Sequence, residues 1–239
     1  MILNNPFKKY LKHLWGDKDP INKEMILKMI SSDKGASILD IGCNDGSFTQ
    51  KIKDIIQTNN VYGMELSKEF AEIAKKKHGI NVVIASADKT FPFKDESFDI
   101  IISNQVIEHL CDTDSYIYEI HRTLKKDGTC IVSTGNLSSL HNIISLILGF
   151  QPAGSHVSDF YICGNPLNPQ NNQILKPPLY KQHRRIFTAP ALESIFRFYG
   201  FNHIKVKGWG LHPLPLFIQK RIRITKYSVY ITLIAKKEV

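Results

Sequence analysis

No stretch of this 239-residue chain is apolar for long enough to cross a bilayer. The longest such run, LHNIISLILGF at 140–150, falls well short of the roughly 20 residues that a spanning helix needs. The first twenty residues, MILNNPFKKYLKHLWGDKDP, hold neither a continuous apolar segment nor a small-residue cleavage pattern, so no secretory leader is expected. Cysteines are few, at 43, 111, 130 and 163, and no two have CxxC spacing, which fits a reduced, cytoplasmic compartment. Low-complexity tracts, internal repeats and linkers are also missing, so one domain over 1–239 is expected. The hydrophobic content of 43% suffices for a core.

Acidic residues are scarce in the last quarter. Residues 1–175 carry 18 Lys/Arg against 20 Asp/Glu, whereas residues 176–239 carry 13 against 2. A basic end of this kind is either solvated or meets an anionic partner: a phosphorylated substrate, an anionic membrane surface or a nucleic acid. Within it, PLPLFIQKRIRITK places Lys220, Arg221, Arg223 and Lys226 beside Leu214, Leu216, Phe217 and Ile218. An apolar anchor next to a positive cluster is the composition of a site for a lipid-linked phosphate or an anionic bilayer, and peripheral contact at the inner membrane face is the corresponding expectation. Nucleic acid is disfavoured, because the aromatics do not interleave with the basic run and no separate basic module appears.

From Ser37 to Thr134 short apolar segments alternate with amphipathic ones. SILDIG, NVYGMELS, INVVIAS, SFDIIISN and TCIVSTG read as strands. Between them, SFTQKIKDIIQT and KEFAEIAKKKHG have helical spacing, the second stopping at Gly79. TDSYIYEIHRTLKKDG reads as a helix with basic residues in its last turn and Gly128 past its end. Alternation of this kind implies βαβ units, hence an α/β, Rossmann-like, doubly wound and mostly parallel sheet with helices on both faces. Ligands of such sheets bind beyond the carboxyl ends of the strands, where strand order reverses.

The turn after the first strand, GCNDG at 42–46, suits that place. Gly42 and Gly46 permit backbone dihedrals and close approach that a side chain forbids, and the next helix offers free N–H groups. It is not GxGxxG: the middle glycine is replaced and the third is missing, which weakens a pyrophosphate cradle. Glu65 ends the second strand, 19 residues after Gly46, where a carboxylate can accept both hydroxyls of a ribose.

ILDIGCNDGSF, VYGMELS, FPFKDESFDIIISNQVIEHL, LKKDGTCIVSTGN and HRRIFTAPALESIFRFYGF resemble, in that order, the motifs of class I S-adenosylmethionine-dependent methyltransferases, closely over 36–136 and more loosely over 183–236. The resemblance implies S-adenosylmethionine as cofactor and a seven-stranded sheet whose last strands, FNHIKVKGW and YSVYITLIAKK, form an antiparallel edge hairpin. It also implies an N-terminal helical segment over 1–35, a cofactor-binding half over 36–135, a substrate-cap insertion over 136–187, and a C-terminal helix and hairpin over 188–239. It assigns the methionine end of the cofactor to Asp40, Gly42, Cys43, Asn44 and Gly46, the ribose to Glu65 with Leu66, the adenine to Ala87 and Asp88, and the remaining border to Asn104 and Gln105. Asn44 replaces a commoner glycine, and the acid usual at position 87 comes one residue later.

Methyl transfer needs an aligned nucleophile and, for a hydroxyl, a proton acceptor. His109, in IEHL, is the candidate general base, although the same residues can simply open a helix. Some family members bind a divalent ion through E-x-x-E-H; here Gln105 stands at the first acid, and no metal is expected. The insertion offers His141, His156, Tyr161 and His183 as substrate contacts. Its run GFQPAGSHVSDFYICGNPL resembles a subgroup linked to surface-glycan and glycolipid assembly, which implies O-methylation of an anionic, glycan-type or lipid-linked acceptor. A quinone or other small-molecule methyltransferase, an RNA methyltransferase and a non-catalytic cofactor-binding protein stay open, as does the oligomeric state.

Overall fold

Local chemistry sets several helix ends in this chain. The computed structural model describes residues 19–175, 182–212 and 224–238. In chain order the elements are α1 (Asp19–Leu27), β1 (Ile38–Ile41), α2 (Ser47–Ile56), β2 (Val61–Glu65), α3 (Lys68–His78), β3 (Asn81–Ile84), β4 (Phe98–Asn104), a 3-10 turn (Ile107–His109), α4 (Thr113–Thr123), β5 (Leu124–Gly135), α5 (Leu140–Ile147), α6 (Ala189–Phe198), β6 (Phe201–Trp209) and β7 (Tyr230–Lys237). Ser67 caps α3 by accepting the Phe70 N–H, and Gly79 ends it in the left-handed region at φ 62°. Thr188 caps α6, with Pro190 just inside the start.

The sheet runs β3-β2-β1-β4-β5-β7-β6. The first five strands are mutually parallel, and β7 lies antiparallel between β5 and β6. β1 is the switch point, with β2 on one side and β4 on the other. Its residues are all buried and alternate in direction. Ile38 joins Ile26 of α1 and Phe48, Ile52 and Ile56 of α2 on one face. Leu39 and Ile41 join Tyr116, Ile117 and Ile120 of α4 and Leu192 and Phe196 of α6 on the other. Burial on both faces explains why the strands read as continuous apolar runs rather than alternating ones.

One expected boundary is corrected. α4 ends at Thr123, and LKKDG belongs to the start of β5, where Leu124 pairs with Phe98 and the register slips before Thr129. Asp127 takes the left-handed conformation at φ 58°. Gly128 is required by crowding: a Cβ there would lie 2.8 Å from the Leu124 side chain and from the Lys125 carbonyl. The glycine therefore serves a β-bulge and not a helix stop.

Residues 136–187 leave the sheet at the carboxyl end of β5 and return pinned. The Leu137 N–H donates to the Phe187 carbonyl at 2.7 Å, beside a parallel bridge between Asn136 and Phe187. Within this insertion, α5 is followed by irregular chain as far as Leu175. Lys220, Arg221 and Arg223, with Leu214, Leu216, Phe217 and Ile218, lie outside the described residues, as does 1–18 of the expected N-terminal segment.

Candidate active site

The turn out of β1 is shaped by what its neighbours leave room for. Gly42 has φ 74°, and a Cβ there would fall 2.5 Å from Val106 Cγ2. The N–H groups of Gly42 and Cys43 both donate to the Met64 carbonyl, at 2.7 and 3.3 Å. Asn44 adopts the left-handed region at φ 50°, which aims its N–H at Glu65 Oε2, 3.0 Å away. Glu65 Oε1 accepts the Ser67 N–H at 2.8 Å. The Glu65 carboxylate, 8% exposed, is thus held by one amide from each side of the crevice. Gly46, at φ 77°, is pressed by α3 and by the residue just ahead of β3: its missing Cβ would meet Ala74 Cβ at 2.9 Å and Ile80 Cδ1 at 2.8 Å.

These residues border a cavity of about 410 Å³ at the carboxyl ends of β1, β2 and β4. Gly42, Asn44, Glu65, Leu66, Ala87, Asp88, Gln105 and His109 line it, joined by Ile41, Met64, Phe70, Ala85, Ser86, Val106 and Leu110. The apolar wall, Phe70 above all, escaped sequence reasoning; the one signal was an aromatic in the first turn of the helix after Glu65. Asp40, Cys43, Gly46 and Asn104 do not line the cavity. Asp40 points to the α2 side, where its Oδ2 accepts the Thr49 hydroxyl at 2.6 Å. Burial raises its pKa to about 7, against the opposing pull of the Thr49 hydrogen bond. The Cys43 sulfur sits where a Gly63 Cβ would be, 2.5 Å away, and burial pushes its thiol pKa well up. Asn104 Oδ1 accepts from Asn22 of α1 at 2.7 Å, and Asn22 Oδ1 accepts the Ser133 hydroxyl at 3.0 Å. Asp88 keeps one oxygen on the loop ahead of α4, accepting the Cys111 and Asp112 N–H groups at 2.8 and 3.0 Å.

At the far wall, the insertion's return strand grips the 3-10 turn. The Glu108 carbonyl accepts the Arg184 and Arg185 N–H groups at 2.7 and 3.0 Å. His109 Nδ1 lies 3.0 Å from the Gln182 carbonyl, 73 residues away. A carbonyl can only accept, so Nδ1 carries the proton and Nε2 is the basic atom. The ring of His109 meets His183 edge-on at 4.9 Å, and His183 stacks on His156 at 5.4 Å. Burial lowers the pKa of all three; His183 falls to about 3, with repulsion from His109 and His156 adding to it. Glu108, its Oε2 accepting the Thr134 hydroxyl at 2.9 Å, joins His109 and His183 with one ligand atom each within 4.8 Å, a donor set that suits a divalent cation. Of the other residues assigned to substrate, His141 packs on His212 at 5.5 Å and Tyr161 donates to Asn172 at 2.7 Å; like His156 and His183, neither lines the cavity.

The cavity fits a nucleoside-sized ligand. Its volume lies in the usual range of about 300–1,000 Å³ for small-molecule sites. Gly42 leaves a cradle that a methyl would fill, and the buried Gln105 Nε2 has no partner among the described residues. The sequence model of the methyltransferase domain family matches residues 39–132. An uncharacterized protein of Methanocaldococcus jannaschii is 30% identical over 222 residues, covering 91% of this chain and 81% of the relative. The ubiquinone biosynthesis O-methyltransferase of Pelagibacter ubique is 29% identical over 171 residues, covering 64% and 70%. Among solved structures, a SAM-dependent methyltransferase from Thermotoga maritima superposes with a TM-score of 0.63 at 21% identity, covering 91% of this chain and 88% of the other. The chain belongs to the class I S-adenosylmethionine-dependent methyltransferases. It is a methyl-transferring enzyme with S-adenosylmethionine as cofactor and a small-molecule acceptor.

Proposed function

We propose that the enzyme methylates a hydroxyl of a small organic acceptor seated against His109, whose Nε2 takes the hydroxyl proton. The observation that carries this reading is the Gln182 carbonyl on Nδ1, which fixes the tautomer, together with burial that keeps the ring neutral at the cavity wall. Glu65 would accept the ribose hydroxyls, Gly42 and Asn44 would cradle the methionine end, and Ala87 with Asp88 would border the adenine. The cofactor supplies a sulfonium-activated methyl group, so the protein's task is alignment and proton removal. The O-methyl transfer printed in the name of the Pelagibacter relative supports an oxygen acceptor. A sugar or lipid-linked sugar with a phosphate is the narrower form of the proposal, supported by the exposed Arg184 and Arg185 next to Glu108.

A second reading rests on the Glu108, His109 and His183 donor set: a divalent cation there would hold the acceptor oxygen, and His109 would be a ligand rather than a base. One experiment separates them. Labelled methyl transfer to catechols and to sugar phosphates is measured for the wild type, His109→Gln and His183→Ala, with and without chelator. A loss of about 10²–10⁴-fold in His109→Gln alone, insensitive to chelator, is expected for a general base. Chelator-sensitive activity lost equally in both variants assigns the corner to a metal, and full activity in His109→Gln overturns both.

A further inference from the structure

α5 is built inside out. A surface helix normally turns its apolar stripe to the core and its polar side to water. Here Asn142 and Ser145 are the buried residues of Leu140–Ile147. Asn142 donates to the Asn136 carbonyl and accepts the Ala153 N–H at 2.8 Å; the Ser145 hydroxyl donates to the His141 carbonyl at 2.8 Å and accepts from Asn165 at 2.9 Å. The polar side is thus satisfied inward, leaving the apolar side to face outward. Ile147 is 78% exposed, with Leu146 and Leu148 beside it above half. The loops beyond α5 add Val157, Phe160 and Ile174, each more than half exposed. An exposed apolar cluster on this scale marks a surface that meets something else.

The charge pattern selects what it meets. From Gly128 to Leu175 the chain holds one charged residue, Asp159. From Phe160 to Leu192 it holds four Lys/Arg and no acid. Among the described residues, Arg184 and Arg185 are exposed where the insertion rejoins the body. Lys226 is exposed beside its start, with its carbonyl accepting from Asn136 and Ser138. A protein-facing patch would carry polar specificity in its rim. An apolar tip whose one charged residue is Asp159, with exposed cations at both junctions of the insertion with the body, is instead an arrangement that can seat in an acyl boundary beneath anionic headgroups. We infer that α5 and the loops 155–175 dock this enzyme on an anionic lipid bilayer. The inference shares Arg184 and Arg185 with the narrower acceptor proposed above, and vesicle binding measured without any acceptor tests it apart from that reading.

The test is co-sedimentation of the full chain with phosphatidylcholine vesicles, with and without phosphatidylglycerol. Binding is expected to the anionic vesicles at low salt, and to weaken at 1 M salt, where the Debye length is about 3 Å. Ile147→Ser/Leu148→Ser should weaken it by about tenfold for each anchor removed, because about 1.4 kcal/mol of lost burial is a factor of ten. Calorimetric cofactor binding should be unchanged in that variant. Absence of wild-type binding at low salt overturns the proposal, and so does binding indifferent to the apolar substitutions. A variant with a lower melting temperature and unchanged sedimentation assigns the face to internal packing. A concentration-dependent dimer abolished by the variant, without vesicle binding, assigns it to a second copy of the chain.

Discussion

Replacing Asp40 with Asn should stabilise the free protein at neutral and alkaline pH. The carboxyl is 2% exposed in the middle of β1, and one hydroxyl, from Thr49, donates to it at 2.6 Å. Burial lifts its pKa from 3.8 to about 7. The folded state therefore binds a proton that the unfolded chain releases, and stability falls as pH rises from about 4 towards 7. Above pH 7 the full cost stands, on the order of 4 kcal/mol for a shift of this size. Asn cannot ionise and has the same outline, so the variant's advantage over wild type should grow by that order between pH 4 and pH 8. With a urea dependence of about 2 kcal/mol/M, the midpoints would separate by about 2 M at pH 8. Urea unfolding in half-unit pH steps measures this. A stability difference that stays flat across that range would refute the claim that burial holds the carboxyl neutral.

Glu65→Ala should weaken cofactor binding by about 10–150-fold, from about 1.5–3 kcal/mol for lost hydrogen bonds to a charged acceptor; calorimetry reads it directly, and the Asn44 and Ser67 amides lose their acceptor as well. Gly42→Ala should destabilise the protein by about 1–3 kcal/mol in chemical unfolding, because the residue has φ 74° and the new methyl would sit 2.5 Å from Val106 Cγ2. The insertion should loosen in acid. His183 and His141 titrate near 3 and 4 when folded, below the ordinary value of 6.5, so the unfolded form takes up protons first and stability drops as pH falls below about 6.5. Amide exchange over 136–175 at pH 5 should therefore exceed that at pH 7 after correction for intrinsic rates, whereas β1, where the raised pKa of Asp40 favours the folded state at lower pH, should not lose protection; equal protection in the insertion would contradict this.

Much of the site was legible in one dimension because its chemistry is local. Apolar runs of strand length alternating with amphipathic helices can satisfy their backbone and bury both sheet faces only in βαβ order. A turn with a glycine at its start and an acid at the end of the next strand are likewise neighbours through the β1–β2 pairing, which places Asp40 beside Gly63 and Ile41 beside Met64. What the tertiary structure alone decided is orientation across distance. Gly42 and Gly46 look equivalent in GCNDG, but one faces the cavity and the other faces α3, because only packing settles which side of a turn is crowded. Asn104 and Gln105 are adjacent, yet strand alternation and an Asn22 partner 82 residues upstream turn the first away from the cavity. His183 meets His109 because the pinned ends of the insertion return Gln182 and His183 to the 3-10 turn. The apolar run LHNIISLILGF was visible in the sequence, but a run shows only that apolar residues are present, not which way they face. That the apolar side faces outward came from hydrogen-bonding partners, Asn136, Ala153 and Asn165, that the fold alone brings beneath it.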